Sequence, residues 1–394
     1  MDEKTVTKLN AGNIPQSGRL FRTFVRCRAD RYGRKHLGEP MPIPIDHTAN
    51  PRLDAQAIAA GTLSNVPSDH MFIAEYSHGE WRKARIQPYR PISLAPFALG
   101  LHYAQSVFEG MKAYRQDDGA VAVFRTSKHH ARFVKSCHRM CMPAVPADLF
   151  AEAVHTLVGV DAGWVPPGPQ AAYYLRPFMF ASEERMGLKV ADEYLFMVLG
   201  GPFKPLFTKP LSIKVERTYV RAAPGGTGSA KCAGNYAAAM YPTQLAKEEG
   251  FDQVLWTDAH HHATLEESGA MNVMVVIDGV VTTPPLTDTI LDGVTRSSVL
   301  ELCTELGIPT AERSISVEEL EQGITSGEVS EAFGVGTAAA VAPIGVVGID
   351  GKRMQLPLAP GPIAESLRKK LYAIRYGVEV DSHGWMHRIE TVDV

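Results

Sequence analysis

From residue 70 onward the apolar positions of the chain switch repeatedly between a period of two and a period near 3.6, while residues 1 to about 65 are polar, proline-rich and weakly periodic. That first stretch has the pattern of an extension wrapped on a folded body. Ala120-Val121-Ala122-Val123-Phe124 reads as a strand. Phe133, Val134, Cys137, Met140 and Cys141 then fall at helical spacing, and Leu149, Phe150, Ala153, Val154, Leu157 and Val158 repeat it. Apolar runs at 171–180 and 194–200 predict core strands. Glycine and proline interrupt the pattern from Gly200-Gly201-Pro202 to Lys209-Pro210, which predicts a linker. Beyond it come a strand at 211–216, a helix over about 235–249 closed by Gly250, and strands near 252–257 and 271–277. The last of these ends in an Asp278-Gly279 turn. A helix from about Thr295 has Val299, Leu302, Cys303 and Leu306 on one face and Gly307 beyond its end.

Helices and strands intermingle without a regular βαβ rhythm, so the expected class is α+β (or α/β) in two domains. The expected boundaries are an extension at 1–65, a smaller domain at 66–204 and a larger one at 205–394. A net charge of −3 gives no global pull toward nucleic acid or an anionic membrane. No apolar run approaches the roughly 18–20 residues of a membrane span. The five cysteines, Cys27, Cys137, Cys141, Cys232 and Cys303, are few and odd in number. They argue against a disulfide framework and for a reducing compartment. Cys137 and Cys141, four apart in a predicted helix, are expected to share a face without forming a metal site. Six arginines between 19 and 36 faintly resemble a transit peptide, but Met1-Asp2-Glu3 is acidic, and the expectation is a solvated basic extension on a cytoplasmic protein.

Candidate chemistry centres on Gly225-Gly226-Thr227-Gly228-Ser229-Ala230-Lys231-Cys232-Ala233-Gly234-Asn235-Tyr236. Small residues around Lys231, just before a helix, leave room beside the ammonium group, as a Schiff-base lysine requires. A nucleotide-binding loop is a poor reading, because Cys232 follows the lysine where serine or threonine is needed. A plain surface lysine in a glycine-rich loop is the competing reading. Glu266 and Glu267 precede the apolar strand 273–277, and either suits the ring nitrogen of a pyridoxal cofactor. In extended backbone they face opposite ways, so only one can serve. Ile290-Leu291-Asp292-Gly293-Val294-Thr295-Arg296 is a glycine turn opening a helix, a natural phosphate cradle, although Thr295 is equally an ordinary N-cap. Gly336-Thr337-Ala338 is another turn of small residues. Tyr174 and Arg176 lie two apart in a strand and so share a side, suiting an apolar group or a carboxylate. His260-His261-His262 reads as a solvated loop and not as a metal site.

Taken in order, these segments resemble the branched-chain aminotransferases, the fold-type IV group of pyridoxal-phosphate enzymes. The likeness rests on Leu101 to Tyr114 (LHYAQSVFEGMKAY), Tyr174-Leu175-Arg176-Pro177, Lys231 to Tyr236, Glu267 to Asn272, Leu291 to Arg296 and Phe333 to Thr337, over roughly residues 70–390. The resemblance implies a D-amino-acid-aminotransferase-like fold and pyridoxal 5′-phosphate as cofactor. It makes Lys231 the catalytic, cofactor-bearing residue. It also implies that Glu267 faces the ring nitrogen and Tyr236 the phenolic oxygen. Arg132, Gly293, Val294, Thr295 and Thr337 would hold the phosphate, with Arg221 also at the cofactor. Tyr103, Phe108 and Tyr174 would wall the substrate pocket, Arg176 would receive the side-chain carboxylate of glutamate, and amides near Thr337 and Ala338 the α-carboxylate. The implied reaction moves an amino group between leucine, isoleucine or valine and 2-oxoglutarate, in a homodimer, with no metal. Ala233 and Ala270 depart from residues usual in the family, and Ala339 and Ala342 replace a Cys-x-x-Cys pair found in some vertebrate members. Within the same fold, a D-amino acid aminotransferase or an aminodeoxychorismate lyase is the alternative, and a non-catalytic scaffold is the alternative from another class.

Overall fold

The computed structural model describes residues 43–168, 171–204 and 207–391, so the basic stretch and Cys27 lie outside the described residues. A short helix, α1 (Ala55–Ala59), precedes the hairpin β1 (His70–Ser77) and β2 (Glu80–Pro88). One helical turn, α2 (Leu99–His102), leads to β3 (Ser106–Phe108), β4 (Met111–Arg115) and β5 (Val121–Phe124). Helices α3 (Thr126–Arg139) and α4 (Ala147–Val160) are followed by the long antiparallel pair β6 (Ala172–Ala181) and β7 (Tyr194–Phe203). The second half begins with β8 (Leu211–Val215), α5 (Ala233–Glu248), β9 (Gln253–Thr257), β10 (Leu265–Ser268) and the hairpin β11 (Met271–Ile277) and β12 (Val280–Thr283). It continues through α6 (Val294–Glu305), β13 (Thr310–Glu312), α7 (Val317–Ser326), β14 (Val329–Gly336), β15 (Ala340–Ile349), β16 (Lys352–Gln355), α8 (Pro362–Arg375) and β17 (Met386–Ile389).

Two sheets result. The first runs β17-β5-β4-β6-β7-β1-β2, with β3 beside β6, and the end of the chain completes it through β17. The second runs β10-β9-β8-β15-β14-β11-β12-β13, and the extra pairing of β10 with β11 closes part of it on itself. Helices α3 and α4 cover the first sheet with the predicted apolar faces: Phe133, Phe150 and Phe196 meet ring to ring at 5.6–5.9 Å. Helices α6 and α8 bury Val299, Leu302, Leu367 and Leu371 against Phe333 and Met274 of the second sheet. Residues 43–65 lie on the body, with Ile43 and Ile58 buried and Ile45 bridged to Ile86. Among the described residues no helix is long and apolar enough to cross a membrane.

Two expectations need correction. Cys137 and Cys141 do not share a helix face: α3 ends at Arg139, Cys141 takes φ +53° beyond it and is exposed, and Cys137 is buried. The interruption expected from Gly200 begins later, because β7 continues through Gly200 and Gly201 to Phe203. Packing and not turning demands these glycines. A Cβ on Gly200 would stand 2.3 Å from the Tyr173 ring, and one on Gly201 would stand 2.0 Å from the Val66 carbonyl.

Candidate active site

Lys231 is held by its backbone before its side chain does anything. Its N–H donates to Ser136 Oγ of α3 (2.9 Å), and its carbonyl accepts from Phe108 N (3.0 Å). The next residue, Cys232, bridges Val107 and serves as N-cap of α5. The lysine is thus fixed between the two sheets at a helix start. Its amine donates to Tyr236 Oη (2.6 Å), one turn along α5, and lies 4.8 Å from the centre of the Phe108 ring. Burial, with the Arg132 charge nearby, lowers its pKa to about 8.

The amine faces a cavity of about 230 Å³ that gathers residues from separate stretches of chain, among them Phe108, Arg132, Tyr174 and Arg176, Tyr236, Gly293 to Thr295, and Thr337 to Ala339. An adjoining cavity of about 340 Å³ shares Tyr236 and Asn272 with it and reaches Arg221 and Glu267. Tyr103 lines neither; it is exposed, and its hydroxyl donates to Met186 O (3.2 Å).

At one end of the first cavity stands the start of α6. Gly293, not Thr295, is the N-cap, and Thr295 is buried in the first turn, which corrects the plain N-cap reading. Asn272 Oδ1 occupies the place of any Cβ at Gly293 (2.0 Å), so the chain needs glycine there. The first amides of α6 have no acceptor within the helix and carry the positive end of its dipole. Arg132 reaches this point, donating from one terminal nitrogen to Asp292 O (3.1 Å).

On the far side of Tyr236, Glu267 is buried on β10 and accepts from Leu291 N (2.7 Å). Arg221 Nε lies 3.1 Å from its other oxygen, close enough for an ion pair but without hydrogen-bond alignment. Burial raises the Glu267 pKa, and Arg221 opposes that rise. Glu266 points elsewhere, accepting from Thr289 Oγ1 (2.6 Å). Burial, with Glu267 adding to it, raises the Tyr236 pKa, so its hydroxyl remains a donor.

The opposite wall is β6. Tyr174 and Arg176 share a side, as their spacing predicts: the guanidinium donates to Tyr174 Oη (2.9 Å) and lies over the Phe108 ring at 4.8 Å. Across from them the turn 337–339 is held from behind, because Lys112 of β4 donates to Ala338 O (3.0 Å). Lys112 is itself buried, and burial with Arg375 nearby lowers its pKa to about 7.

Sequence reasoning passed over Glu109, His129, Ser136, Asn272 and Lys112. A signal existed for two of them. His129, Arg132 and Ser136 fall at i, i+3 and i+7, a polar stripe on the buried face of α3, where helical periodicity expects apolar residues. His260 and His261 are exposed, and the described residues hold no group of side chains arranged for a metal.

The pattern of the class IV aminotransferases matches residues 106–347. The branched-chain-amino-acid aminotransferase of Mycolicibacterium smegmatis is 39% identical over 363 residues, 89% of this chain and 99% of that protein. The chain belongs to the class IV aminotransferases, in their branched-chain amino acid group. Branched-chain-amino-acid transaminase 1 of Bacillus subtilis is 44% identical over 310 residues, 77% of this chain and 86% of that one. A solved branched-chain aminotransferase of Thermoproteus uzoniensis, bound to norvaline, superposes with a TM-score of 0.68 at 27% identity, covering 81% of this chain and 99% of that one. This fold-type IV member is therefore a transaminase acting on amino and oxo acids, in a family that depends on pyridoxal phosphate.

Proposed function

We propose that Lys231 carries pyridoxal 5′-phosphate, and that the enzyme moves the amino group reversibly between L-leucine, L-isoleucine or L-valine and 2-oxoglutarate. One observation carries the reading: a lysine amine with a depressed pKa faces a cavity with an anion cradle at one end and a mixed apolar and cationic wall at the other. The residues fit a phosphorylated pyridine aldehyde. The free amides of Val294 and Thr295, the Arg132 guanidinium and the Thr337 hydroxyl would hold the phosphate. Glu267 would face the ring nitrogen with Arg221 beside it, and Tyr236 the phenolic oxygen. When bound, the group supplies an aldehyde for the lysine and a ring that draws electrons from the substrate's Cα.

The protein's own work is to bind, orient and move a proton. Lys231 Nζ would take the proton from the substrate's Cα. Amides at Thr337 and Ala338 would hold the α-carboxylate common to both substrates. The rings of Phe108 and Tyr174 suit an aliphatic side chain, whose burial is worth roughly 1.5–3 kcal/mol. Arg176, stacked on Phe108, would meet the second carboxylate of the longer acid. We assign the working form to a homodimer in which exposed Tyr103 walls the partner's cavity, because it lies outside both cavities beside Lys231 and Tyr236 in its own chain. The change of sheet between β7 and β8 supports a division of the chain near residue 205, with β17 returning to the first sheet. The free cysteines among the described residues support a reducing, cytoplasmic setting.

The test is the visible spectrum of the purified protein. A yellow band that bleaches with L-leucine and returns with 2-oxoglutarate supports both half-reactions. A band indifferent to L-leucine but bleached by a D-amino acid favours the D-amino acid aminotransferase reading. Protein that stays colourless with added pyridoxal phosphate overturns the proposal.

A further inference from the structure

Arg132, the guanidinium assigned to the phosphate end, is not free. Glu109, fully buried between β3 and β4, takes two of its nitrogens in a fork: Nε to Oε1 at 2.7 Å and a terminal nitrogen to Oε2 at 2.8 Å. The same Oε2 meets His129 Nδ1 at 2.7 Å, one turn earlier on α3, and the Gly110 amide at 3.3 Å. Only the third nitrogen of Arg132 remains, and it is directed at Asp292 O, at the mouth of the α6 cradle. Burial opposes ionisation of Glu109, but Arg132 and His129 outweigh it and hold the carboxyl well below the usual range, so the pair is a true ion pair. Burial keeps His129 in its neutral form, donating to that carboxylate.

We propose that Glu109, oriented by His129, is a positioning residue that aims Arg132 at the α6 helix start and cancels its charge beside Lys231. The consequence is electrostatic as well as geometric. Arg132 disfavours the protonated Lys231 amine, and Glu109 favours it. Tyr174 and Arg176 face the amine from β6, Tyr236 from α5 and Glu267 from β10. Of these, Tyr236 alone also feels the Glu109 charge, which favours its neutral form, so losing Glu109 leaves it a neutral donor near neutral pH. Removing Glu109's charge while leaving Arg132 in place therefore lowers the pH at which Lys231 becomes a free amine.

The inference rests on Lys231 being the cofactor lysine, and the experiment separates the two. Apo-protein is mixed with pyridoxal phosphate, and the rate of appearance of the bound-cofactor absorption is followed from about pH 6 to about pH 10. Wild-type protein captures the cofactor with a midpoint set by Lys231. Glu109→Gln lowers that midpoint by on the order of one pH unit. The double variant Glu109→Gln/Arg132→Met removes both charges, leaves no unpaired ion buried, and returns the midpoint toward wild type. Glu109→Asp keeps the charge but shortens the fork, so the midpoint stays and cofactor affinity falls about tenfold. A Glu109→Gln protein with the wild-type midpoint overturns the proposal, as does a double variant that keeps the single variant's shift, because Glu109 would then not act through Arg132. If Glu109→Gln does not fold, Glu109→Asp decides alone: unchanged cofactor affinity sinks the idea. A wild-type apo-protein that captures no cofactor would instead refute the assignment of Lys231.

Discussion

Removing the amine of Lys231 is the most direct change available at the scale of one residue. Its backbone contacts to Ser136 and Phe108 survive truncation, so Lys231→Ala is expected to fold. It also relieves a buried amine of its desolvation. Transamination should vanish, and cofactor should remain only as a noncovalent complex lost on gel filtration; ordinary turnover would refute the lysine's role. Glu267→Gln keeps the size of the side chain and the acceptor for Leu291 N, but removes the charge that Arg221 flanks. The fold should persist, and the rate of amino transfer should fall by about a hundredfold or more, read as kcat in a coupled assay. The two glutamates also mark a limit of legibility. Alternation along extended backbone says that they face apart, and they do. Which side holds the cavity depends on β10 lying between β9 and β11, a non-local pairing that no local pattern encodes.

The same division between local and non-local holds for whole elements. The stripes of α3 and α4, the runs of β6, β7 and β11, and the Asp278-Gly279 turn (φ +49° and +76°) follow from local periodicity and turn chemistry. Gly200 and Gly201 read locally as punctuation, yet they sit inside β7 because Tyr173 and Val66 crowd the strand. Gly201→Ala is accordingly expected to cost about 1–3 kcal/mol in a denaturant titration, since the clashing atom is backbone and cannot rotate away. Strand β4 supplies a linkage prediction through Lys112. Its folded pKa of about 7 lies below the ordinary 10.5, so between those values the unfolded chain holds the proton that the folded chain has released. Stability therefore rises with pH across that window, by on the order of 3 kcal/mol from this one group. Lys112→Met should flatten that rise in denaturation curves taken near pH 7 and near pH 10. An unchanged slope would mean that Lys112 reaches solvent or an anion when charged.

At the scale of the molecule, the distribution of apolar surface argues for assembly. Phe97 (46% exposed), Leu101 (59%), Tyr103 (42%), Met186 (72%), Leu188 (76%) and Val190 (51%) come from two segments joined by Arg185 N to Phe97 O and Tyr103 Oη to Met186 O. Six large apolar side chains standing together in water mark a contact face more than a solvated loop. The patch includes the tyrosine that the sequence resemblance assigns to a substrate pocket, yet that tyrosine lines neither cavity beside Lys231 and Tyr236 in its own chain. A twofold arrangement reconciles the two facts, since an isologous contact lets each chain lend the residue to the other. Sedimentation equilibrium should give twice the chain mass of 42.9 kDa. Leu188→Asp, distant in sequence from every residue assigned to the cavity, should shift the protein toward the single-chain mass. Cofactor should stay bound, because the Lys231 cradle is built within one chain, while KM for the amino acid should rise as Tyr103 leaves the partner's pocket. A single-chain wild type with full activity would remove both the dimer and the shared wall, and a dissociated Leu188→Asp with unchanged KM would remove the shared wall alone.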